Sequence, residues 1–174
     1  MSLLVLMGGL PGVGKSAIAD ALGERLPATV ISVDEIEAAM LRSGIDRSFE
    51  TGLAAYNAGA TIAAHQLRFG LAVIADAANY LEVGRQIWCA AAESAGADIR
   101  VLEVVCSDET AHRERLASRR RGFEPFPEPS WDDVVRWRAE TEPWSRDRLT
   151  LDSVRPLDEN VELAAAYLAR RVPR

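Results

Sequence analysis

The chain has 174 residues, of which 48% are hydrophobic, and carries a formal net charge of −6. This length suffices for a single domain, over residues 1–174, with a full apolar core. The acidic balance argues against a general nucleic-acid-binding protein, which needs a basic surface to contact phosphates.

The two cysteines, Cys89 and Cys106, lie far apart in apolar segments. This spacing favours reduced, buried thiols over a disulfide framework or a metal site. A signal peptide begins with positively charged residues, but the first seven residues of this chain contain no Lys or Arg. No apolar run reaches the roughly 18 residues that a membrane-spanning helix needs. We therefore expect a cytoplasmic protein that does not contact membranes.

Apolar, strand-forming runs alternate with helical patterns along the chain. The predicted strands are Leu3–Met7, Thr29–Val33, Ala72–Ala75, Arg100–Cys106 and Leu149–Leu151. The predicted helices are Lys15–Leu26, Glu35–Ser43, Thr51–Phe69, Val83–Ala95, Asp108–Ser118, Trp131–Glu140 and Asp158–Arg171. Such alternation predicts a three-layer α/β fold, with a five-stranded, mostly parallel sheet covered by helices on both faces.

The first predicted strand leads into Gly9–Ser16, which matches the Walker A pattern G-x-x-x-x-G-K-[ST] at every specified position. The glycines let the backbone curl around a phosphate. The N–H groups from Gly12 to Ser16, including those of Val13 and Gly14, then point inward at the positive end of the following helix. Lys15 can reach the β- and γ-phosphates, and Ser16 can hold Mg²⁺. The segment predicts binding of a nucleoside triphosphate with Mg²⁺, against the alternative of a glycine-rich turn that binds nothing.

Aspartates follow four of the five predicted strands, at the sheet edge where ligands bind in parallel α/β folds. We interpret Asp108 as a helix N-cap and Asp152 as a turn residue. Asp34 could accept the proton of a hydroxyl acceptor, or it could cap the helix that begins at Glu35. Asp76 could hold Mg²⁺ through water, or it could belong to a plain turn at the end of its strand.

Five arginines fall within the nine residues 113–121, and a proline-rich stretch at 123–129 follows them. We predict a mobile lid over about 119–130, in which guanidinium groups neutralise phosphate charge. The best lid candidates are Arg119 and Arg120, because they have no acidic neighbours close in sequence. Arg113 and Arg115 could instead pair with nearby glutamates on a solvated helix face.

Five other side chains have weaker claims to a role in the site. His65 and His112 fit ordinary helix histidines better than catalytic ones. Trp131, Trp137 and Trp144 could line an acceptor pocket, although tryptophans more often dock a helix onto a sheet.

These motifs together resemble a group of AAA-type P-loop kinases that includes 5′-polynucleotide kinase, chloramphenicol phosphotransferase and zeta-toxin-type kinases. The resemblance rests on Gly9–Ser16, Ser32-Val33-Asp34, Val73–Asn79 and the arginine run. It implies a nucleoside-monophosphate-kinase-like fold, with Asp34 as the base for the acceptor hydroxyl and a lid arginine at the end of its helix. It also places Arg155 in the region where related kinases hold adenine.

The resulting hypothesis is an ATP- and Mg²⁺-dependent kinase that phosphorylates a hydroxyl group of a small molecule, such as a metabolite, a nucleoside or an antibiotic-like compound. A 5′-hydroxyl polynucleotide kinase and a regulatory nucleotide switch remain as alternatives. Glu37 stands where the polynucleotide-kinase branch has a phosphate-binding arginine. A carboxylate there repels an acceptor phosphate, so the sequence favours an uncharged or cationic acceptor over nucleic acid.

Overall fold

The computed structural model describes residues 2–170, which form five strands and seven helices. The strands are β1 (Leu3–Gly8), β2 (Thr29–Ser32), β3 (Val73–Asp76), β4 (Asp98–Val105) and β5 (Arg148–Asp152). The helices are α1 (Lys15–Arg25), α2 (Val33–Arg42), α3 (Phe49–Arg68), α4 (Glu82–Ser94), α5 (Glu109–Ser118), α6 (Trp131–Glu140) and α7 (Leu157–Leu168). All strand pairs are parallel, in the order β2-β3-β1-β4-β5. This confirms the predicted sheet.

The central strand β1 separates two apolar layers, because successive side chains of a strand point to opposite faces. Leu4 and Leu6 enter the layer formed with α2, α3 and α4. Val5 and Met7 enter the layer formed with α1 and α7. Residues 4–8 are all buried, so the loop that follows β1 emerges from the middle of the carboxyl edge of the sheet.

The start of α2 differs from our expectation. We expected the strand to reach Val33 and considered Asp34 as the helix cap, and both interpretations are wrong. Ser32 is the N-cap, and its Oγ accepts a hydrogen bond from the Glu35 N–H at 3.3 Å. A serine hydroxyl is short enough to reach the third helical N–H, which makes serine a strong cap. Asp34 therefore lies in the first turn of α2, with its carboxylate available to the site.

The other two strand-end aspartates have the roles expected of them. Asp108 caps α5 by accepting from the Ala111 N–H at 3.0 Å. Asp152 accepts from the N–H groups of Ser107 and Val154, both at 3.1 Å, and so fixes the turn after β5.

Three further sequence expectations can be compared with the structure. Both cysteines are free, and Cys89 is buried whereas Cys106 is partly exposed. Helix α7 ends at Leu168, while the predicted end at Arg171 lies outside the described residues. Within residues 2–170, no helix combines the length and the apolar character that spanning a bilayer requires.

The buried guanidinium of Arg85 fixes two loops beside the carboxyl edge of the sheet. Its nitrogens donate to backbone carbonyls of Asn79, Glu142 and Pro143 at 2.7–2.8 Å, and its carbon Cζ lies 4.0 Å from the centre of the Trp144 ring. The first of these residues follows β3 and the others precede β5. A single side chain thereby joins segments about 60 positions apart in sequence.

Substitution Arg85→Met should lower the free energy of unfolding by about 3 kcal/mol, because it leaves several buried carbonyls without donors. Arg146→Met is the matched control. Arg146 is 45% exposed and contacts Glu93 at 3.5 Å, so its loss should cost less than about 1 kcal/mol. Urea unfolding followed by circular dichroism gives both values, and equal losses in the two variants would contradict the structural role of Arg85.

Candidate active site

The loop 9–14 joins β1 to α1 in the conformation that the phosphate-binding pattern requires. Gly14 has a φ of 92° and caps α1, which begins at Lys15. The free N–H groups of the first helical turn therefore face the loop. Gly12 has a φ of 85°, and a Cβ atom there would lie 3.2 Å from Cδ2 of His112. Both positions favour glycine for conformation, and a side chain at Gly12 would in addition be crowded by Leu116 and His112.

His112 of α5 supports this loop. The imidazole is 1% exposed, its Nε2 lies 2.8 Å from the Pro11 carbonyl, and its ring contacts Trp131 edge-on at 5.0 Å. Burial lowers the pKa of His112 below its ordinary value. A neutral ring can donate its Nε2–H to the carbonyl, so His112 has a structural contact with the loop, as an ordinary helix histidine would.

Lys15 is the only lysine of the chain, and it forms an ion pair with Asp76 at the end of β3. The two side chains are 10% and 5% exposed. Burial by itself raises the pKa of Asp76, but the charge of Lys15 and hydrogen bonds from Lys15 and Ser16 outweigh it, and the pKa falls below its ordinary value. The structure thus brings together an ammonium, a hydroxyl and an ionised carboxylate at the start of α1.

Of the predicted lid pair, the structure brings Arg119 to the site and directs Arg120 away. Helix α5 ends at Ser118, and Arg119 has extended backbone angles, φ −60° and ψ 128°. Alternate side chains point the same way in extended chain, so Arg121 accompanies Arg119. The exposed Arg120 instead donates to the carbonyls of Ala117 and Arg119, at 3.1 Å and 2.6 Å.

Arg121 links the segment after α5 to the candidate base. Its Nη1 donates to Oδ2 of Asp34, and its Nε donates to Glu128 Oε1 at 3.0 Å. Nη1 of Arg119 lies 4.0 Å from Oε2 of the same glutamate. The acidic partners of these arginines therefore come from α2 and from Glu128 inside the proline-rich stretch, and not from the residues next to them in sequence.

Two buried guanidinium nitrogens, Nη1 of Arg119 and Nη2 of Arg121, find no hydrogen-bond partner among residues 2–170. Burial lowers the pKa of Arg119, and the neighbouring charge of Arg121 lowers it further. Two crowded cations with unused donors fit an anion with several acceptor oxygens, and guanidinium groups suit phosphate geometry.

Asp34 also lines a cavity of about 590 Å³ beside the P-loop. Most of the wall is apolar or aromatic, including Phe49, Tyr56, Tyr80, Phe126 and Trp137. Its charged members, besides Asp34, are Glu37, Arg47 and Arg136. The space is thus large enough for a small organic molecule and places it next to a carboxylate.

The segment 119–130 covers part of this cavity. It contains no helix or strand, as the alternating prolines predicted. Phe126 is nevertheless 9% exposed, and the guanidinium of Arg47 lies 5.2 Å above its ring. The segment is therefore anchored at two points, by Arg121 to Asp34 and by Phe126 in the cavity wall.

Trp131, Trp144 and His65 lie outside this cavity, whereas Trp137 lies in its wall. Trp137 stacks on Tyr80 at 5.9 Å within its wall. Trp131 packs against His112, and Trp144 donates from Nε1 to Glu103 at 3.1 Å. His65 is exposed on α3. Only one of the three tryptophans is therefore placed to contact an acceptor in this cavity.

A second set of contacts lies on the other side of the P-loop, near Gly14. Arg113 pairs with Glu109 at 2.8 Å, as the alternative of a solvated helix face predicted, whereas Arg115 pairs with no glutamate within residues 2–170. Arg115 donates to Oγ and to the carbonyl of Ser153, at 2.8 Å and 3.1 Å. A Cβ atom on Gly14 would lie 3.4 Å from Ser153. Arg155 is exposed in the same turn after β5.

Sequence reasoning missed Arg121, Glu128 and Phe126. A signal for Arg121 existed, because proline-rich chain is extended and positions 119 and 121 then share a side. Glu128 and Phe126 gave no such signal, since their partners Arg121 and Arg47 are identified by contacts in space.

The comparisons with known proteins agree with this geometry. A family model described as an AAA domain matches residues 4–141. A sugar kinase from Janibacter sp. HTCC2649 is 18% identical, with a TM-score of 0.69 over 97% of this chain and 94% of that chain. The APS kinase of Mycobacterium tuberculosis, solved with AMPPNP and APS, is 19% identical, with a TM-score of 0.68 over 97% and 98%.

A gluconokinase from Sinorhizobium meliloti 1021 is 19% identical, with a TM-score of 0.65 over 95% of this chain and 90% of that chain. No curated protein matches the sequence. The structural matches establish the fold, and they confirm the predicted likeness to P-loop kinases. Since the family model spans most of the sequence, the chain belongs to this AAA-domain family, as a P-loop kinase-like protein.

Proposed function

We propose that the protein is a kinase that transfers the γ-phosphate of ATP to a hydroxyl group of a small molecule. The observation that carries this proposal is the position of Asp34. Its carboxylate lines the cavity of about 590 Å³ and is bonded to Arg121, which has a free buried donor of its own. A base for the acceptor and a cation for the phosphate are therefore in contact.

The P-loop supports binding of the triphosphate. Its amides at the start of α1, with Lys15, would hold the β- and γ-phosphates, and Gly9, Gly12, Val13, Gly14 and Ser16 complete the loop. The turn with Ser153 and Arg155, beside Arg115, would then lie on the side of the nucleotide base. Lys15 now pairs with Asp76, and a phosphate would give the ammonium a second anionic partner.

The donor set beside Lys15 fits Mg²⁺. Hydroxyl and carboxylate oxygens are its usual protein ligands, with water and phosphate completing the shell. Ser16 would bind the ion directly and the ionised Asp76 through water. When bound, Mg²⁺ would neutralise charge on the phosphate oxygens.

The transfer itself would need little more from the protein than alignment and charge neutralisation. Asp34 Oδ1 would accept the proton of the acceptor hydroxyl as its oxygen bonds to the γ-phosphorus. The bond from that phosphorus to the bridging oxygen would break, and ADP would leave with the electron pair. Arg119 and Arg121 would stabilise the charge on the transferring phosphoryl oxygens.

The acceptor cavity supports a small molecule over the 5′-end of a nucleic acid. Glu37 lies in its wall, where a carboxylate opposes a phosphate-bearing acceptor. A binding cavity next to the P-loop also favours group transfer over a nucleotide switch, which needs no acceptor site.

Substitution Lys15→Ala should weaken the binding of ATP with Mg²⁺ at least about tenfold, roughly 1.4 kcal/mol, because it removes a point charge from the phosphates. Isothermal titration measures the affinity. Because the chain has one lysine, acetylation of its ε-amine, followed by mass spectrometry, gives a second readout, and ATP should protect Lys15 in the wild type. Unchanged affinity in the folded variant would contradict the nucleotide site.

Arg121→Ala should weaken binding of a non-hydrolysable ATP analogue at least about tenfold, because the variant lacks the guanidinium that would donate hydrogen bonds to phosphate oxygens. The neighbouring Arg120→Ala is the matched control, because the partners of Arg120 among the described residues 2–170 are backbone carbonyls. Its affinity should stay within about twofold of the wild type. An Arg120→Ala defect as large as that of Arg121→Ala would mean that the segment binds nucleotide in another register.

Asp34→Asn should reduce phosphate transfer at least about 10²-fold, the usual loss for a missing general base, while ATP affinity stays nearly unchanged. Transfer is followed with γ-labelled ATP on a panel of small alcohols, amino sugars and nucleosides, with a 5′-hydroxyl oligonucleotide for comparison. A fully active Asp34→Asn variant would exclude Asp34 as the base. Efficient labelling of the oligonucleotide by the wild type would favour a polynucleotide kinase.

A further inference from the structure

The acceptor cavity contains a second carboxylate besides Asp34. Glu37 lies one helical turn further along α2, and residues at this spacing have Cβ atoms about 5–6 Å apart on the same helix face. Both side chains line the cavity. Any molecule that presents a hydroxyl to Asp34 therefore also lies within reach of Glu37.

Glu37 is nearly buried but weakly partnered. Its side chain is 12% exposed, and the ion pair that it forms within residues 2–170 is with Nε of Arg47, at 3.7 Å. That distance is too long for a hydrogen bond. Arg47 is 48% exposed and lies over the Phe126 ring. The carboxylate thus lines the cavity without a hydrogen bond to a side chain of the described residues, and it can accept one from a bound molecule.

The charged side chains of the cavity wall are two carboxylates, Asp34 and Glu37, and two arginines, Arg47 and Arg136. Burial raises the pKa of Glu37, and the nearby carboxylate of Asp34 raises it further, whereas Arg47 lowers it. A positive group placed between the two carboxylates would offset both the desolvation of Glu37 and its repulsion by Asp34. Arg121 pairs closely with Asp34, whereas Arg47 lies 3.7 Å from Glu37, so Glu37 is the less closely paired of the two carboxylates.

The rest of the cavity wall defines the body of the acceptor. Tyr80 and Trp137 stack on each other at 5.9 Å, and Phe126 closes the cavity from the segment 119–130. These rings offer broad apolar surfaces. They suit a hydrophobic or aromatic skeleton, whereas a polyhydroxylated sugar would lose hydrogen bonds to water against them.

We infer that Glu37 is a specificity-determining residue that binds a protonated amine of the acceptor, and that the acceptor is an amino alcohol with an apolar body. The hydroxyl lies at Asp34, the ammonium at Glu37 and the body against the aromatic wall. This inference rests on the proposed kinase function and names the substrate class for the same cavity.

The test compares two molecules that differ in one amine, 2-amino-3-phenylpropan-1-ol and 3-phenylpropan-1-ol. Their affinities for the wild type are measured by titration in the presence of a non-hydrolysable ATP analogue. The amino alcohol should bind at least about tenfold more tightly. Sodium gluconate, a polar acidic alcohol, should bind more weakly than either compound. Equal affinity for the two phenyl compounds, including no binding of either, would overturn the inference.

Glu37→Gln should abolish the preference for the amine while it preserves binding of 3-phenylpropan-1-ol. Glu35→Gln is the matched control, because Glu35 lies on the same helix but is exposed and outside the cavity wall. It should keep the full preference. Melting temperatures of both variants establish that they are folded. A Glu37→Gln protein that still prefers the amino alcohol would also overturn the assignment.

Turnover separates this inference from the proposed function. With ATP, the wild type should phosphorylate the amino alcohol at a lower KM than 3-phenylpropan-1-ol, and Glu37→Gln should raise that KM with little change in kcat. Amine-dependent binding without any phosphate transfer would refute the kinase proposal and leave the Glu37 site intact. Transfer to both compounds with the same KM would refute the Glu37 site and leave the kinase proposal intact.

Discussion

The parallel direction of all five strands is the constraint on which the rest of the structure depends. Parallel strands need crossover helices, and these cover both faces of the sheet. The strand ends then meet at one edge, where residues distant in sequence come into contact. Lys15 and Asp76 are 61 positions apart, and Asp34 and Arg121 are 87 apart. Neither pair would form without this topology.

Charge at this edge is arranged in alternating pairs. Lys15 pairs with Asp76, and Arg121 pairs with Asp34 and with Glu128. These pairs hold the cationic groups in place. Lys15, Asp76 and Arg121 are largely withdrawn from water, whereas the Asp34 side chain is 38% exposed. Breaking one partner of such a pair leaves an uncompensated buried charge, which is costly. The ion pairs therefore fix the positions of the charged side chains. Nη1 of Arg119 and Nη2 of Arg121 are left without a hydrogen-bond partner within residues 2–170.

Local pattern predicted the fold well and the site in part. The strands, the helices and the phosphate loop are encoded in short stretches such as Leu3–Met7 and Gly9–Ser16, where spacing alone specifies the conformation. The start of α2 was misjudged because Ser32 and Asp34 are both good caps, and choosing between them needs the backbone geometry.

The arginine segment was misjudged for a different reason. Arg120 was chosen because it has no acidic neighbours close in sequence, but the backbone becomes extended at Arg119, and Arg120 then points away from Arg119 and Arg121. The partners of Arg121 and the burial of Phe126 depend on tertiary contacts with α2 and with Arg47. No short-range pattern carries such information. The cavity wall is built from six segments of the chain, and sequence reasoning could not predict it for the same reason.

The segment 119–130 contributes both to the cavity and to the cationic group beside the P-loop, through Phe126 and through Arg119 and Arg121. If the segment acts as the predicted lid, the two halves of the site share the cost of ordering it. A ligand that immobilises this segment from either side spares the second ligand the conformational entropy of doing so. By linkage, the enhancement must be equal in both directions. Under that prediction, cooperativity between nucleotide and acceptor would follow from a shared covering segment, without any movement of the sheet.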